Sequence, residues 1–190
     1  MSQTITSISM SLDGYIAGED ISAEMPMGKE GARLHDWIFN SKTASDTLVM
    51  AEIHETSGAV IVGANTYKTA IENAWKGESP FSVTAYVITH DVPEEKVAGF
   101  EYITGGIESA LIAAKSSAED KDIWIMGGAD IIQQFINAGA LDIIQINLVN
   151  ILMGQGKRLF ENLVIPQTEL EIIRDIDSIG VTHLKYRILR

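Results

Sequence analysis

Two glycines, Gly127 and Gly128, stand where the apolar run DIWIM stops and the helical pattern ADIIQQFINAG starts. A helix start exposes unpaired N–H groups and a partial positive charge. A residue without a side chain lets an anion reach them, so this junction suits a phosphate or pyrophosphate. A strand-to-helix turn that needs positive φ asks for glycine equally well. Asp130, in the same first turn, supplies a competing negative charge, and the pair is not a G-x-G-x-x-G fingerprint.

Other short stretches pose the same kind of choice. GANTY, residues 63–67, offers backbone amides and a hydroxyl, but Asn65 and Thr66 also serve as plain helix caps. Thr89 and His90 close another strand and either touch a ligand or form a surface turn. Asp13, in SLDG, belongs to a turn dipeptide; lining a cleft, its carboxylate would orient a polar ring or pass a proton. Trp37 either stacks on a flat ligand or pins its loop to the core. Lys157 and Arg158, after the glycines of GQGKR, are a local basic spot that holds a substrate phosphate or forms a solvated turn. The four histidines lack metal-ligand spacing, and neither G-x-S-x-G nor a Walker sequence occurs.

The elements that must position these residues follow from periodicity. TITSISM reads as a first strand. Residues 18–43 lack steady periodicity and read as a long loop with a helical piece over Leu34 to Phe39; a loop of that length is often functional. SDTLVMAEIHETSG reads as a helix stopped by a C′ glycine, Gly58. Strands follow at 59–64, 83–89, 100–104 and 122–126. Helices follow at 65–75, 107–118 and 129–139, the last with Ile131, Ile132, Phe135 and Ile136 on one face and Gly139 at its end. In DIIQINLVNIL, Ile144, Ile146 and Leu148 face one way and Gln145 and Asn147 the other. Two alternating segments around Ser178-Ile179-Gly180 read as a hairpin. The sum is an α/β fold: a mixed, mostly parallel central sheet with helices on both faces and a C-terminal antiparallel hairpin. No repeat or linker divides it, so residues 1–190 read as one domain. Ligands of such sheets sit at the carboxyl ends of the strands, where GANTY, THD and GGAD fall.

Composition narrows the function classes. A formal net charge of −12 argues against a nucleic-acid partner. The absence of cysteine excludes disulfides, thiol catalysis and cysteine-ligated metals, and fits a reducing cytoplasm. The N-terminus lacks a signal-peptide pattern, and no apolar run approaches the ~18 residues of a membrane span. An exposed hairpin edge invites pairing, so a homodimer is expected.

Taken together, SISMSLDGYIAG, VIVGANTY, IWIMGGADIIQQFINAGALDIIQINLVNILMGQGKRLF and the closing hairpin resemble the dihydrofolate reductase-like proteins. The resemblance is closest to the reductase domain of the bifunctional riboflavin-biosynthesis deaminase-reductase. It implies NADPH-dependent reduction of a C=N or C=O group on a small heterocyclic or sugar-bearing substrate. It places Gly127, Gly128 and Ala129 at the cofactor's pyrophosphate. Gly63, Asn65 and Thr66 fall at the adenosine phosphate end, with Thr89 and His90 beside them. Asp13 falls by the nicotinamide and substrate, with Gly154 and Gly156 in the later turn beside the site. The family's common Arg after the glycine of GRxTY is Ala64 here. That removes a charged fork for the 2′-phosphate and admits NADH as an alternative. The zinc deaminase half, which needs H-x-E and P-C-x-x-C, is absent. The competing expectations are a nucleotide-binding protein that keeps the fold without chemistry, and a flavin-dependent oxidoreductase.

Overall fold

The computed structural model describes residues 2–40 and 42–190. In chain order the elements are β1 (Thr4–Ser11), β2 (Tyr15–Ala17), a 3-10 turn (Gly31–His35), α1 (Asp36–Phe39), α2 (Ala44–Thr56), β3 (Ser57–Gly63), α3 (Ala64–Ala70), β4 (Ala85–Ile88), β5 (Phe100–Ile103), α4 (Gly106–Ala118), β6 (Asp122–Gly127), α5 (Ala129–Asn137), β7 (Ile143–Val149), β8 (Lys157–Arg158), β9 (Leu170–Ser178) and β10 (Val181–Ile188). Among the described residues eight strands form one sheet in the order β5-β4-β3-β6-β1-β7-β10-β9, and β2 pairs with β8 in a separate ribbon. The strands from β5 across to β7 run parallel; β10 and β9 are antiparallel, as the hairpin pattern predicts.

The alternation in β1 and β7 divides the sheet into two faces. Ile8, Met10, Ile144, Ile146 and Leu148 pack with α4 and α5. The apolar stripe expected on α5 is the one buried: Ile132 and Phe135 are fully enclosed, each such side chain contributing about 1.5–3 kcal/mol. On the opposite face Ile5, Val60, Val62 and Ile143 meet Ile53 of α2 and Tyr67 of α3. Helices therefore cover both faces.

The α2 face also carries a buried polar layer. Asp46 Oδ1 and His183 Nε2 are 2.9 Å apart, and His183 Nδ1 lies 2.8 Å from Asn147 Oδ1. Asn147 and Gln145 donate to Ser7 Oγ. Asp46 also closes the capping box that starts α2, accepting from the Thr43 amide at 2.7 Å. Burial pushes the Asp46 carboxyl upward in pKa, but the bonds from His183 and Thr43 outweigh it and hold the pKa below the usual value. Polar groups at the base of a strand are tolerated here because each finds a partner.

Three expectations are corrected. Gly58 does not cap α2: the helix ends on the extended Ser57, and Gly58 lies inside β3, where a Cβ would stand 2.5 Å from the Ala118 carbonyl oxygen. Asn65 and Thr66 do not cap α3, whose N-cap is Gly63, and the helix ends at Ala70 rather than running to 75. The 18–43 stretch, of which residue 41 lies outside the described residues, contains the expected helical piece as the 3-10 turn and α1. It is also more built than a free loop, since the Gly18 amide donates to the Met27 carbonyl and the Lys29 amide to the Glu19 carbonyl.

Candidate active site at the strand ends

The carboxyl ends of β1, β3, β4, β6 and β7 lie along one edge of the sheet, and the residues singled out from the sequence lie at or just after those ends in the chain, apart from Trp37, which α1 brings against Val149 and Ser9. β3 and β6 are neighbours, and their ends are pressed together. A Cβ on Gly63 would stand 2.7 Å from Ile131 Cγ1, and a Cβ on Gly128 would stand 3.2 Å from Thr66 Oγ1. Gly127 has φ of +122°, a conformation L side chains rarely adopt, and its peptide to Gly128 is cis. Gly128 is the N-cap of α5 and offers no side-chain cap, so the first-turn amides at Ala129, Asp130 and Ile131 have no side chain capping them. Asp130 is exposed and accepts from Gln134 Nε2 at 2.8 Å, which draws its carboxylate along the helix. The double glycine thus supplies a positive-φ turn at Gly127 and leaves Gly128 without a side chain beside the Thr66 hydroxyl.

At β4 the result is more local. Thr89 is buried, and its Oγ1 both donates to the Asp91 carbonyl at 2.9 Å and accepts from the Asp91 amide, forming the turn itself; His90 is exposed. Asn65 is exposed on α3, two positions after the helix N-cap.

The β1 and β7 ends are joined by Asp13. Its Oδ2 accepts from the Gly154 amide at 2.7 Å and the Met153 amide at 3.1 Å, while Ser11 Oγ donates to Oδ1 at 2.6 Å. Burial raises the Asp13 pKa, but the bonds from Ser11, Gly154 and Met153 prevail and bring it down to about 2. A carboxylate held this way is ionised at neutral pH. The geometry is that of a clamp between two loops. Gly154, at φ +74°, supplies the turn that presents its amide.

Two expectations about side chains change. Trp37 is 2% exposed, donates from Nε1 to Ser9 Oγ at 3.0 Å and packs edge-on against His183. It pins the loop and has no face left for a ligand. Arg158 is exposed but lies against the clamp: Nη1 donates to the Asp13 carbonyl, Nη2 donates to Tyr15 Oη at 2.8 Å, and the guanidinium lies over the Tyr15 ring. Tyr15 Oη in turn donates to the Gly154 carbonyl at 3.1 Å. Gly156 is required by the ribbon, because a Cβ there would stand 2.2 Å from the Ala17 carbonyl oxygen. Ser11, Tyr15 and the Met153 amide, which complete the clamp, were missed. Ser11 sits two residues before Asp13 in the quoted SLDG stretch and was the available signal. A wider hollow of about 390 Å³, lined by Gly58, Thr84 and Gly99, lies at the opposite, amino ends of β3 and β4, away from these residues. Among the described residues no group of three or more His, Asp or Glu side chains is arranged to hold a metal, and no helix is long and apolar enough to cross a membrane.

A mixed sheet whose parallel strand ends carry a side-chain-free junction and a clamped turn is the framework of a dihydrofolate reductase-like protein. Residues 3–179 match the RibD C-terminal domain family, and the chain belongs to that family. It is 27% identical to the uncharacterized protein YwjB of Bacillus subtilis over 85% of this chain and 84% of that one. Its fold is similar to a putative riboflavin biosynthesis protein from Shewanella sp. PV-4, with a TM-score of 0.76 at 21% identity over 99% of both chains. It is also similar to Enterococcus faecalis dihydrofolate reductase complexed with NADP(H), with a TM-score of 0.58 at 13% identity over 98% of this chain and 96% of that one.

Proposed function

We propose that this protein is a reductase that seats NADPH along the ends of β6, β3 and β4 and reduces a C=N or C=O group of a small heterocyclic or sugar-bearing substrate. The observation that carries the reading is the junction at Gly127, Gly128 and Ala129. It leaves the α5 amides without a side-chain cap, beside the Thr66 hydroxyl, in a cradle that a Cβ on Gly128 would fill. The family and the NADP(H) complex of the E. faecalis enzyme support it. Gly63, Asn65 and Thr66 would flank the cofactor's phosphates, with Thr89 and His90 at the next strand end. Bound there, the cofactor supplies a hydride. Ala64 at the start of α3 leaves the position of the 2′-phosphate without a guanidinium, so NADH is the expected second cofactor. Asp13 acts as a positioning residue: it fixes the 153–154 amides and holds the substrate's side of the cleft in one geometry, which is how a protein that contributes mainly orientation lowers a barrier. The 18–43 stretch would cover the site and exclude water.

The test is a titration of the purified protein with NADPH and, separately, NADH, read by nicotinamide fluorescence. Saturable binding is expected, weakened at least tenfold by Gly128→Val in a protein whose circular dichroism is unchanged. No binding of either nucleotide by the folded protein would overturn the reading. Ala64 at the start of α3 and Asp130 in the first turn of α5 favour a second reading, a nucleotide-binding protein without turnover. Tight NADPH binding with no oxidation across a panel of imine and carbonyl acceptors would select it. A homodimer fits β9, an edge strand with Leu170 and Ile172 exposed, and sedimentation velocity tests it.

A further inference from the structure

Ala64 and Lys68 stand one turn apart on α3, which spans Ala64–Ala70. Residues four apart share a helix face, with Cβ atoms about 5–6 Å from each other. Side chains on a helix lean back toward its start, so Lys68 covers the turn that Ala64 begins. Alanine at position 64 puts only a methyl group beneath it.

The neighbours of α3 fix which way this face looks. Thr66 Oγ1 lies toward β6, where a Cβ on Gly128 would stand 3.2 Å from it. Tyr67 lies toward β5: its ring meets Phe100 edge-on, and its hydroxyl is 2.6 Å from that of Tyr102. At about 100° per residue, Ala64 and Lys68 then fall on the side away from Thr66, between the Tyr67 side and solvent. Lys68 is exposed. β4 lies between β3 and β5 in the sheet, so this face borders the β4 end, where Thr89 and the exposed His90 stand. The double glycine is on the other side.

In a chain with 14 basic and 26 acidic residues, Lys68 is the one lysine or arginine on α3, α5 or the 89–91 turn. Among the described residues it joins no ion pair. Two carboxylates flank this border in sequence: Glu72, past the end of α3, and Asp91, next to His90. They weaken the local field without occupying the ammonium, and a lysine followed four positions on by a glutamate is the weaker order of such a pair. NADPH differs from NADH by one phosphate. Telling the two apart takes a positive charge that meets the phosphate and gains nothing from a hydroxyl. An arginine at position 64 would bring a planar fork; Lys68 brings a compact point charge on a flexible stem, from one turn away.

Resting on the reductase reading above, we infer that Lys68 is a specificity-determining residue for the cofactor. Its ammonium takes the 2′-phosphate of NADPH in place of the guanidinium that Ala64 lacks, and it ranks NADPH above NADH.

The experiment titrates the full chain with NADPH and with NADH by nicotinamide fluorescence, at low and at physiological salt. The proteins are the wild type, Lys68→Ala, Lys68→Arg and Lys68→Ala/Ala64→Arg. Lys68→Ala should lose about tenfold or more in NADPH affinity and keep its NADH affinity within about twofold. Its NADPH affinity should also depend less on salt, because one charge contact is gone. Lys68→Arg should keep the preference for NADPH, and Ala64→Arg should restore it to the Lys68→Ala protein. Wild-type protein without a preference for NADPH overturns the assignment and leaves cofactor binding in place. So does Lys68→Ala protein whose two affinities change equally or not at all. Folded wild-type protein that binds neither nucleotide overturns the reductase reading itself, and the assignment with it.

Discussion

The Gly154 amide donates to Asp13 Oδ2 at 2.7 Å across 141 positions of sequence, and that one bond fastens the turn after β1 to the chain leaving β7. An asparagine at position 13 keeps the shape but replaces one acceptor with an NH2 group that must face a backbone N–H. Asp13→Asn should therefore loosen residues 152–156 without unfolding the sheet. Amide exchange at Met153 and Gly154 should speed up at least tenfold. If turnover is found, KM should rise more than kcat falls. Unchanged exchange would show that the clamp is redundant.

The same clamp has a pH signature. The folded pKa of Asp13 is depressed to about 2, below the ~3.9 of an unfolded aspartate, so its contribution is fully present above that unfolded value. It is lost as pH falls toward 2. Protease sensitivity or exchange in the 152–156 segment should rise between pH 4 and 2 in the wild type, and should be flat over that window in Asp13→Asn.

How much of this was legible before the structure differs by element. The β6–α5 junction was readable because an apolar run, two glycines and an amphipathic helix each carry a local signal. The neighbours of β6 were not. Periodicity reports which face of a strand is buried and says nothing of whether β3 or β1 lies beside it, so the contact of Gly128 with Thr66 had no sequence trace. β2 and β8, with three and two residues, are too short to show a period. Gly58 looked like a helix stop because a glycine after an apolar helix usually is one; its actual reason is the approach of Ala118. Trp37 and Arg158 have the right chemistry for ligands, but side-chain direction decided both cases, and composition does not report direction.

The buried pair of Asp46 and His183 is the sheet's most exposed liability on mutation. Both are enclosed, at 0% and 2% side-chain exposure, and each satisfies the other at 2.9 Å. Removing one partner leaves a buried polar group unpaired, at a cost of roughly 3–5 kcal/mol. Asp46→Ala or His183→Leu should lower Tm by on the order of 10 °C for a chain of this size. Because the Asp46 pKa is depressed, its share of the stability stands at neutral pH and is lost as pH falls below the ordinary carboxylate range. Calorimetric scans from pH 7 to 3 should show wild-type Tm falling more steeply at the acid end than that of Asp46→Ala.

Gly63 separates packing from ligand contact. It lies at the strand-end edge where the cofactor is proposed to sit, yet a Cβ there would meet Ile131 Cγ1 of α5 at 2.7 Å. Gly63→Ala must push α5 away or force Ile131 off its rotamer, and overpacking of this kind costs about 1–3 kcal/mol. Trimming the obstacle should restore the fit. In a double-mutant cycle Gly63→Ala/Ile131→Ala should be less destabilised than the sum of its single changes by roughly 0.5–3 kcal/mol. NADPH affinity should recover in the double variant along with stability, since the α5 amides return to their place. Strict additivity in urea melts would mean that Gly63 is a glycine for some reason other than Ile131.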